Sequence, residues 1–264
     1  MEVNSINNQL NALASSSQNS LEKVATGLSI NDAQNNAPSL SIADSLKVQR
    51  SDLAQSLQNI NSGLAVTSIA NEGVNSQIDI LSSMRTKTLE AMDESASQET
   101  KDSIQNQLQV MMQDYQNIAS STTYEGQSLL TNPTGETQFN VSTSDNTIAI
   151  KLPSTDTLGE ELQTLLNDFS SDGLTNILNK IDTNVDQLQN IQNDFGTTSQ
   201  QLQDQAKNTI SSQINNARAN STLTDIDFGS QVSDFSKSSI MSQMGYLAVT
   251  QANAVQEQNI RLLS

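Results

Sequence analysis

From Leu40 to Met92 the chain reads LSIADSLKVQ RSDLAQSLQN INSGLAVTSI ANEGVNSQID ILSSMRTKTL EAM. Its apolar residues Ile42, Leu46, Leu53, Leu57, Ile60, Leu64, Ile69, Val74, Ile78, Leu81 and Met84 recur mostly in steps of three and four, with polar Gln49 filling one place in the stripe. That spacing lines one face of a helix. No proline falls between Ser39 and Met92, so nothing there forbids continuous backbone hydrogen bonding. At about 1.5 Å per residue the stretch predicts a rod of roughly 80 Å, with Ser39 as its N-cap. Gly63 and Gly73 inside it mark either the close approach of another element or slack; both readings stand at this point. A helix of that length needs partners along all of it.

The flanking sequence offers them. Upstream, Ile6, Leu10, Leu13, Leu21, Val24 and Leu28 trace a thin amphipathic helix, followed by Gly27 and the linker-like run Asn31 to Pro38. Such a helix buries little by itself; it is either a frayed terminus or a segment that orders against a partner. Downstream, a polar connector from Asp93 to Glu99 leads to a helix carrying Ile104, Leu108, Met111, Met112, Tyr115 and Ile118, whose methionine pair reads as core filling. Turns follow at Tyr124-Glu125-Gly126 and Asn132 to Gly135. Phe139 to Val141 and Ile148 to Leu152 alternate around Ser144-Asp145-Asn146, the signature of a β-hairpin that must lie on helices to be stable. Leu158 to Phe169 reads as a short helix capped by Thr157 or Asp156, closed by a turn from Ser170 to Gly173.

A regular heptad then begins: Leu174, Leu178, Ile181, Val185, Leu188, Phe195, Leu202 and Ala206, with Gln192 and Ser199 at two seam positions and an extension through Ile210 and Ile214. This is coiled-coil patterning, and it predicts a second long helix from about Leu174 to Ala217. Beyond a polar break from Leu223 to Phe228, the last segment carries Val232, Phe235, Ile240, Met241, Met244, Leu247, Ala248, Ala252, Val255, Ile260 and Leu262 at helical period. Left solvated, it would expose an unusual apolar surface, and the thin N-terminal helix is its obvious partner. The fold class expected is therefore mainly α: a long antiparallel helical bundle or coiled coil with one small β-hairpin at about 137–152, and terminal helices paired into a separate domain.

Composition narrows the function. The 264 residues hold 12 Lys and Arg against 29 Asp and Glu, a formal charge of −17, with aromatics at only 3% and no Trp, Cys or His. A phosphate backbone or an anionic lipid surface would repel such a chain, so neither nucleic acid nor membrane is an expected partner. Without Cys or His there are no disulfides, no thiolate chemistry, no imidazole ligand and no usual general base; no cofactor or metal is expected, and an enzyme would have to work through carboxylates or Ser and Lys. No run of eighteen apolar residues occurs. Residues 1–20 lack the basic and apolar regions of a signal peptide, which points to the cytoplasm unless another export route operates. Asp194-Phe195-Gly196 and Asp227-Phe228-Gly229 match a kinase tripeptide without the Gly-rich and catalytic loops that give it meaning. Asp225 and Asp227 begin like a calcium loop, but Gly229 follows and no Glu closes it.

The element order resembles that of bacterial flagellin, and particular stretches carry the resemblance. Leu21-Glu22-Lys23-Val24-Ala25-Thr26-Gly27-Leu28-Ser29-Ile30-Asn31 is similar to the family's ERLSSGLRIN. Tyr124-Glu125-Gly126 through Leu130 resembles FNGxxLL, Leu188 to Phe195 resembles LGAIQNRF, and Leu247-Ala248-Val249-Thr250-Gln251-Ala252-Asn253 resembles the VLAQAN near the family's C-terminus. Lys23 and Ser29 replace two arginines of the first motif, and Asn35-Asn36 replaces a double aspartate. Only Pro153 to Gly173 separates the hairpin from the heptad helix, where many flagellins carry large variable outer domains.

The resemblance implies a secreted, extracellular subunit that polymerises with itself into the flagellar filament, reaches it by flagellar type III export, and meets an export chaperone, cap and hook-junction proteins. It implies an inner-tube domain built from 1–34 with 226–264, and a bundle with its hairpin from 35–225. The subunit-interface candidates are Leu10, Leu13, Leu21, Val24, Leu28, Met241, Met244, Leu247, Val255 and Leu262. Many flagellins carry an Arg, a Leu and a Glu recognised by an innate immune receptor; Ser83, Lys87 and Gln107 stand at those positions, which implies weak or absent recognition. Two other readings stay open: a hook–filament junction protein on the same frame, and a cytoplasmic coiled-coil signalling adaptor.

Overall fold

This computed structural model describes residues 2–31, 33–131, 137–144 and 146–263, with side chains described for these except 2–7, 33–35, 137, 256–257 and 259–263. Ten elements follow in order among them: α1 Glu2–Thr26, α2 Ala33–Ala91, α3 Gln98–Ser121, β1 Thr123–Tyr124, β2 Gln127–Ser128, β3 Thr137–Ser142, β4 Thr147–Leu152, α4 Asp156–Leu165, α5 Ser171–Thr224 and α6 Phe228–Leu263. The class is mainly α, as the periodicities imply. Two units divide the chain, Met1–Ser51 with Gln213–Ser264 as one and Asp52–Ser212 as the other.

In the second unit α2 buries a seam that its large apolar residues only half reveal. Leu53, Ser56, Ile60, Gly63, Thr67, Ala70, Val74, Gln77, Leu81, Met84, Thr88 and Ala91 are all buried, in unbroken alternation of three and four, the period of a coiled coil. Ile69 falls off this seam and is exposed, while its neighbour Ala70 is fully buried. Gly63 and Gly73 are contact sites and not slack. A Cβ at Gly63 would come within 2.5 Å of Val141 Cγ2, and one at Gly73 within 2.7 Å of Thr122 Oγ1 and 2.8 Å of Leu130 Cδ1.

The starts of α2, α4 and α5 differ from expectation. α2 begins at Ala33 and breaks at Asn36, whose φ of −169° and ψ of 91° are non-helical. The Asn36 Oδ1 accepts the Ser39 N–H at 3.2 Å, so Asn36 and not Ser39 caps the continuing helix. Pro38 then lies in the first turn, where no backbone donor is needed. α4 starts at Asp156 after Thr155, which makes no capping side-chain bond. Thr155 is buried and committed elsewhere: its Oγ1 accepts Gln77 Nε2 at 3.0 Å and donates to the Leu130 carbonyl at 3.2 Å, and its carbonyl accepts the Tyr115 hydroxyl at 3.1 Å. α5 starts at Ser171 because Ser170 Oγ accepts the Gly173 N–H at 3.1 Å, turning the expected loop into a first helical turn.

Along α5 the residues Leu174, Ile177, Ile181, Asn184, Leu188, Phe195, Leu202 and Thr209 are buried. The seven-residue step from Phe195 and Leu202 leads to Thr209. Ile210 and Ile214, expected on the seam, are one place out of register and exposed. The methionine pair of α3 behaves as core filling: Met112 is fully buried and Met111 packs on the same cluster as Met84, Leu108, Tyr115, Leu162 and Ile181.

The hairpin pairs Phe139 with Ile150 and Val141 with Ile148. Its Val141, Ile150 and Leu152 are buried, and Asn59 Nδ2 of α2 donates to the Ser142 carbonyl at 2.8 Å. A second strand pair, Thr123 to Tyr124 with Gln127 to Ser128, is too short to leave a sequence alternation. Its turn residues Glu125 and Gly126 have φ of 50° and 81°, both left-handed, as a tight hairpin turn of the mirror-image type requires.

Candidate subunit interface

In the terminal unit α1 and α6 run antiparallel, since Leu10 lies on Gly245 while Leu28 bridges Asp225. Gly245 permits the contact: a Cβ there would stand 2.5 Å from Leu10 Cδ2. The half-buried positions of α6, among them Phe235, Ser238, Ser242, Gly245, Val249 and Ala252, recur in threes and fours and are mostly small. A narrow face therefore meets α1.

The breaks at Gly27–Asn31 and Asp225–Asp227, far apart in sequence, form one junction with the last turn of α5. Gly27 has a φ of 71° and closes α1 by donating its N–H to the Lys23 carbonyl at 2.8 Å. The Ser29 N–H donates to the Thr224 carbonyl at 2.6 Å, and the Ile226 N–H to the Gly27 carbonyl at 3.3 Å. Asp227, the start of one discounted tripeptide, caps α6 by accepting the Ser230 N–H at 3.1 Å.

The other faces of α6 are uncovered. Phe228, Val232, Ile240, Met241, Met244, Tyr246, Leu247 and Val255 are exposed, Met244 and Leu247 to 64% each. Leu10, Leu13, Met241 and Met244 come together, with Gln9 and Gly245, around an apolar groove of about 530 Å³. Leu10 is buried, and Leu13, Val24 and Leu28 are half-buried. Leu21 points to solvent on α1, as Leu247 and Val255 do on α6, away from that groove. The Leu262 side chain lies outside the described residues. Sequence reading missed Gly245, Phe228 and Tyr246; the three- and four-residue spacing of small residues on α6 is the signal that separates its two faces.

Charge is divided unevenly. The terminal unit has eight acidic and six basic residues, and Asp52–Ser212 has twenty-one and six. Apolar docking through the terminal unit is thus almost unopposed by its own charge. Of the receptor-patch positions, Ser83 donates to the Asp79 carbonyl at 2.9 Å, Lys87 pairs with Glu90 at 2.7 Å, and Gln107 reaches Ser103 Oγ at 3.5 Å. Each bonds within its own helix. Among the described residues no group of three or more acidic side chains is placed to hold a metal ion, and no helix is long and apolar enough to cross a membrane.

Residues 1–134 match the bacterial flagellin N-terminal helical region, and residues 178–263 match the bacterial flagellin C-terminal helical region. The chain belongs to the bacterial flagellin family. Flagellin A of Helicobacter mustelae is 34% identical over 158 residues, covering 57% of this chain and 32% of that protein. Polar flagellin B/D of Vibrio parahaemolyticus is 30% identical over 143 residues, covering 54% of this chain and 38% of its own length. The chain spans about a third of the length of the curated relatives it matches. In fold it is similar to the crystal structure of Bacillus cereus flagellin, with a TM-score of 0.51 at 19% identity over 58% of this chain and 88% of that one. A Vibrio parahaemolyticus structure named for a flagellar hook-associated protein also has a TM-score of 0.51, at 12% identity over 72% of this chain and 96% of its own.

Proposed function

We propose that this flagellin is a structural subunit, not an enzyme, that polymerises with its own copies into the bacterial flagellar filament and serves motility outside the cell. Export through the flagellar type III channel, with a chaperone before it and cap and hook-junction proteins at the filament's ends, belongs to the same reading. One observation carries it. Once α1 is in place, α6 still exposes eight large apolar residues among those whose side chains are described; burying apolar surface is worth about 25 cal/mol per Å², and further copies of the chain offer surfaces of the same kind. Residues 1–34 and 226–264 would build the inner tube and 35–225 the bundle with its hairpin, with Leu10, Leu13, Leu21, Val24, Leu28, Met241, Met244, Leu247, Val255 and Leu262 at or beside subunit contacts. Electron microscopy of the purified chain after a polymerisation trial tests this. Helical filaments support it, and a chain that stays dispersed at every concentration and salt refutes it.

The likeness in fold to the hook-associated structure favours a second reading, a junction protein at the filament base. Labelled subunits along whole filaments exclude it; a few copies at the base establish it. A cytoplasmic signalling adaptor leaves the exposed α6 unexplained, and recovery of the chain outside cells excludes that role. The substitutions at Ser83, Lys87 and Gln107 support weak or absent recognition by the innate immune receptor. A reporter response equal to that of a recognised flagellin would overturn this.

A further inference from the structure

We propose that Met241 and Met244 form an oxidation site that controls entry of the subunit into the polymer, an inference that rests on the filament reading above. The methionines differ sharply in access. Met84 and Met112 are fully buried in the core of the middle unit, whereas Met241 and Met244 are exposed to 46% and 64%. Both line the apolar groove with Leu10 and Leu13, and they stand three residues apart on α6, so their thioethers lie on one face.

A peroxide or hypohalous acid is the reactant. With hydrogen peroxide, a lone pair on the thioether sulfur attacks one peroxide oxygen; an S–O bond forms as the O–O bond breaks. Sulfur loses two electrons to become the sulfoxide, and the departing hydroxide takes up the remaining proton and leaves as water. The product places a polar oxygen in a surface that a neighbouring copy must dry, and an unmatched polar group is costly to bury. Oxidised subunits therefore stay out of the filament, while assembled ones are shielded by the copy that covers them. Sulfoxide reductases reverse the change, so the block is not permanent. Met92, exposed to 38% at the end of α2, lies outside the groove and serves as the internal reference.

The test uses the full chain as dispersed subunits and as filaments, each treated with hydrogen peroxide and mapped by peptide mass spectrometry. Met241 and Met244 take up one oxygen each in free subunits and do so more slowly in filaments, while Met92 oxidises at a similar rate in both. Oxidised subunits show a critical concentration for assembly raised by about tenfold or more, and treatment with sulfoxide reductases restores it. The double variant Met241→Leu/Met244→Leu changes two residues of the proposed interface and so sets its own critical concentration, which peroxide leaves unchanged. Equal oxidation of the α6 pair in filaments and subunits overturns the proposal, as does a double variant that peroxide inhibits as strongly as the native chain. Failure of the untreated native chain to assemble overturns the filament reading itself and the inference with it.

Discussion

A Cβ added to Gly173 would stand 2.2 Å from the backbone carbonyl oxygen of Asp168. The obstruction is main chain, and the turn around it is fastened: the Ser170 hydroxyl and N–H both bond the Asp168 carboxylate and hold it below the usual carboxylate range. No side-chain rotation relieves such a contact. Gly196, in the same helix, has nothing within 4 Å of the corresponding position.

The two glycines should therefore respond with opposite signs. Gly173→Ala is expected to destabilise the middle unit by about 1–3 kcal/mol, the usual range for overpacking. Gly196→Ala should stabilise it by up to about 1 kcal/mol through helix propensity. Chemical denaturation of both variants decides, and a stabilised Gly173→Ala would show that the turn yields freely.

The buried contacts of Thr155 make a second case. Thr155→Val keeps the shape but leaves Gln77 Nε2 without its 3.0 Å acceptor, in a side chain whose Oε1 already has no partner among the described residues. A loss of roughly 1–3 kcal/mol is expected. Tyr115→Phe removes only one neutral donor, since burial pushes the hydroxyl's pKa well above its ordinary value, and should cost about 0.5–1.5 kcal/mol. Equal melting temperatures for native and Thr155→Val chains would contradict this.

Glu125 occupies a left-handed conformation, φ 50°, that asparagine adopts more readily because its short side chain bonds locally. Glu125→Asn should raise stability by up to about 1 kcal/mol. A lowered melting temperature would mean that Glu125 makes a contact worth more than the strain.

Deleting residues 245–264 should abolish filaments and leave the Asp52–Ser212 unit folded, because its seams from Leu53 to Ala91 and Leu174 to Thr209 lie wholly outside the deletion. Circular dichroism and electron microscopy read the two effects separately. Normal filaments from the shortened chain would remove α6 from the interface.

Ionic strength gives a further measurement. The middle unit's twenty-one acidic residues against six basic must be crowded when copies assemble. Raising salt from about 0.01 M to 0.15 M shortens the screening length from about 30 Å to about 8 Å, so the critical concentration should fall. A rise would mean that opposite charges, and not apolar faces, hold the copies together.

How much of this was legible in the sequence depended on side-chain size. Large residues at helical spacing marked every long helix, and Phe139, Val141, Ile148 and Ile150 marked the hairpin. The exact seam of α2 was hidden because Ser56, Gly63, Thr67, Ala70 and Gln77 occupy it, and a stripe drawn through large residues drifted to Ile69. The same drift carried the α5 seam to Ile210 where Thr209 is buried. Helix starts were obscured for another reason: Asn36 and Ser39, like Ser170 and Thr157, all suit a cap, local bonds select Asn36 and Ser170, and Thr155 is taken up by tertiary bonds instead. The interface candidates split likewise. Leu10, Leu13, Met241 and Met244 share one groove, while Leu21 and Leu247 are exposed, because the face of α6 that meets α1 is made mostly of small residues, which periodicity in large apolar residues ignores.

The two glycines of α2 have a mechanical consequence. Val141 sits against the backbone at Gly63, and Leu130 and Thr122 do so at Gly73, like pegs in two sockets ten residues apart. Sliding the helix by one turn, about 5.4 Å, would drive the side chains in both sockets onto residues that carry a Cβ, all at once. The helix is thereby locked against axial slip relative to the hairpin and the strand pair beside it. A pull or twist applied along α2 would be passed on to its neighbours with the register intact.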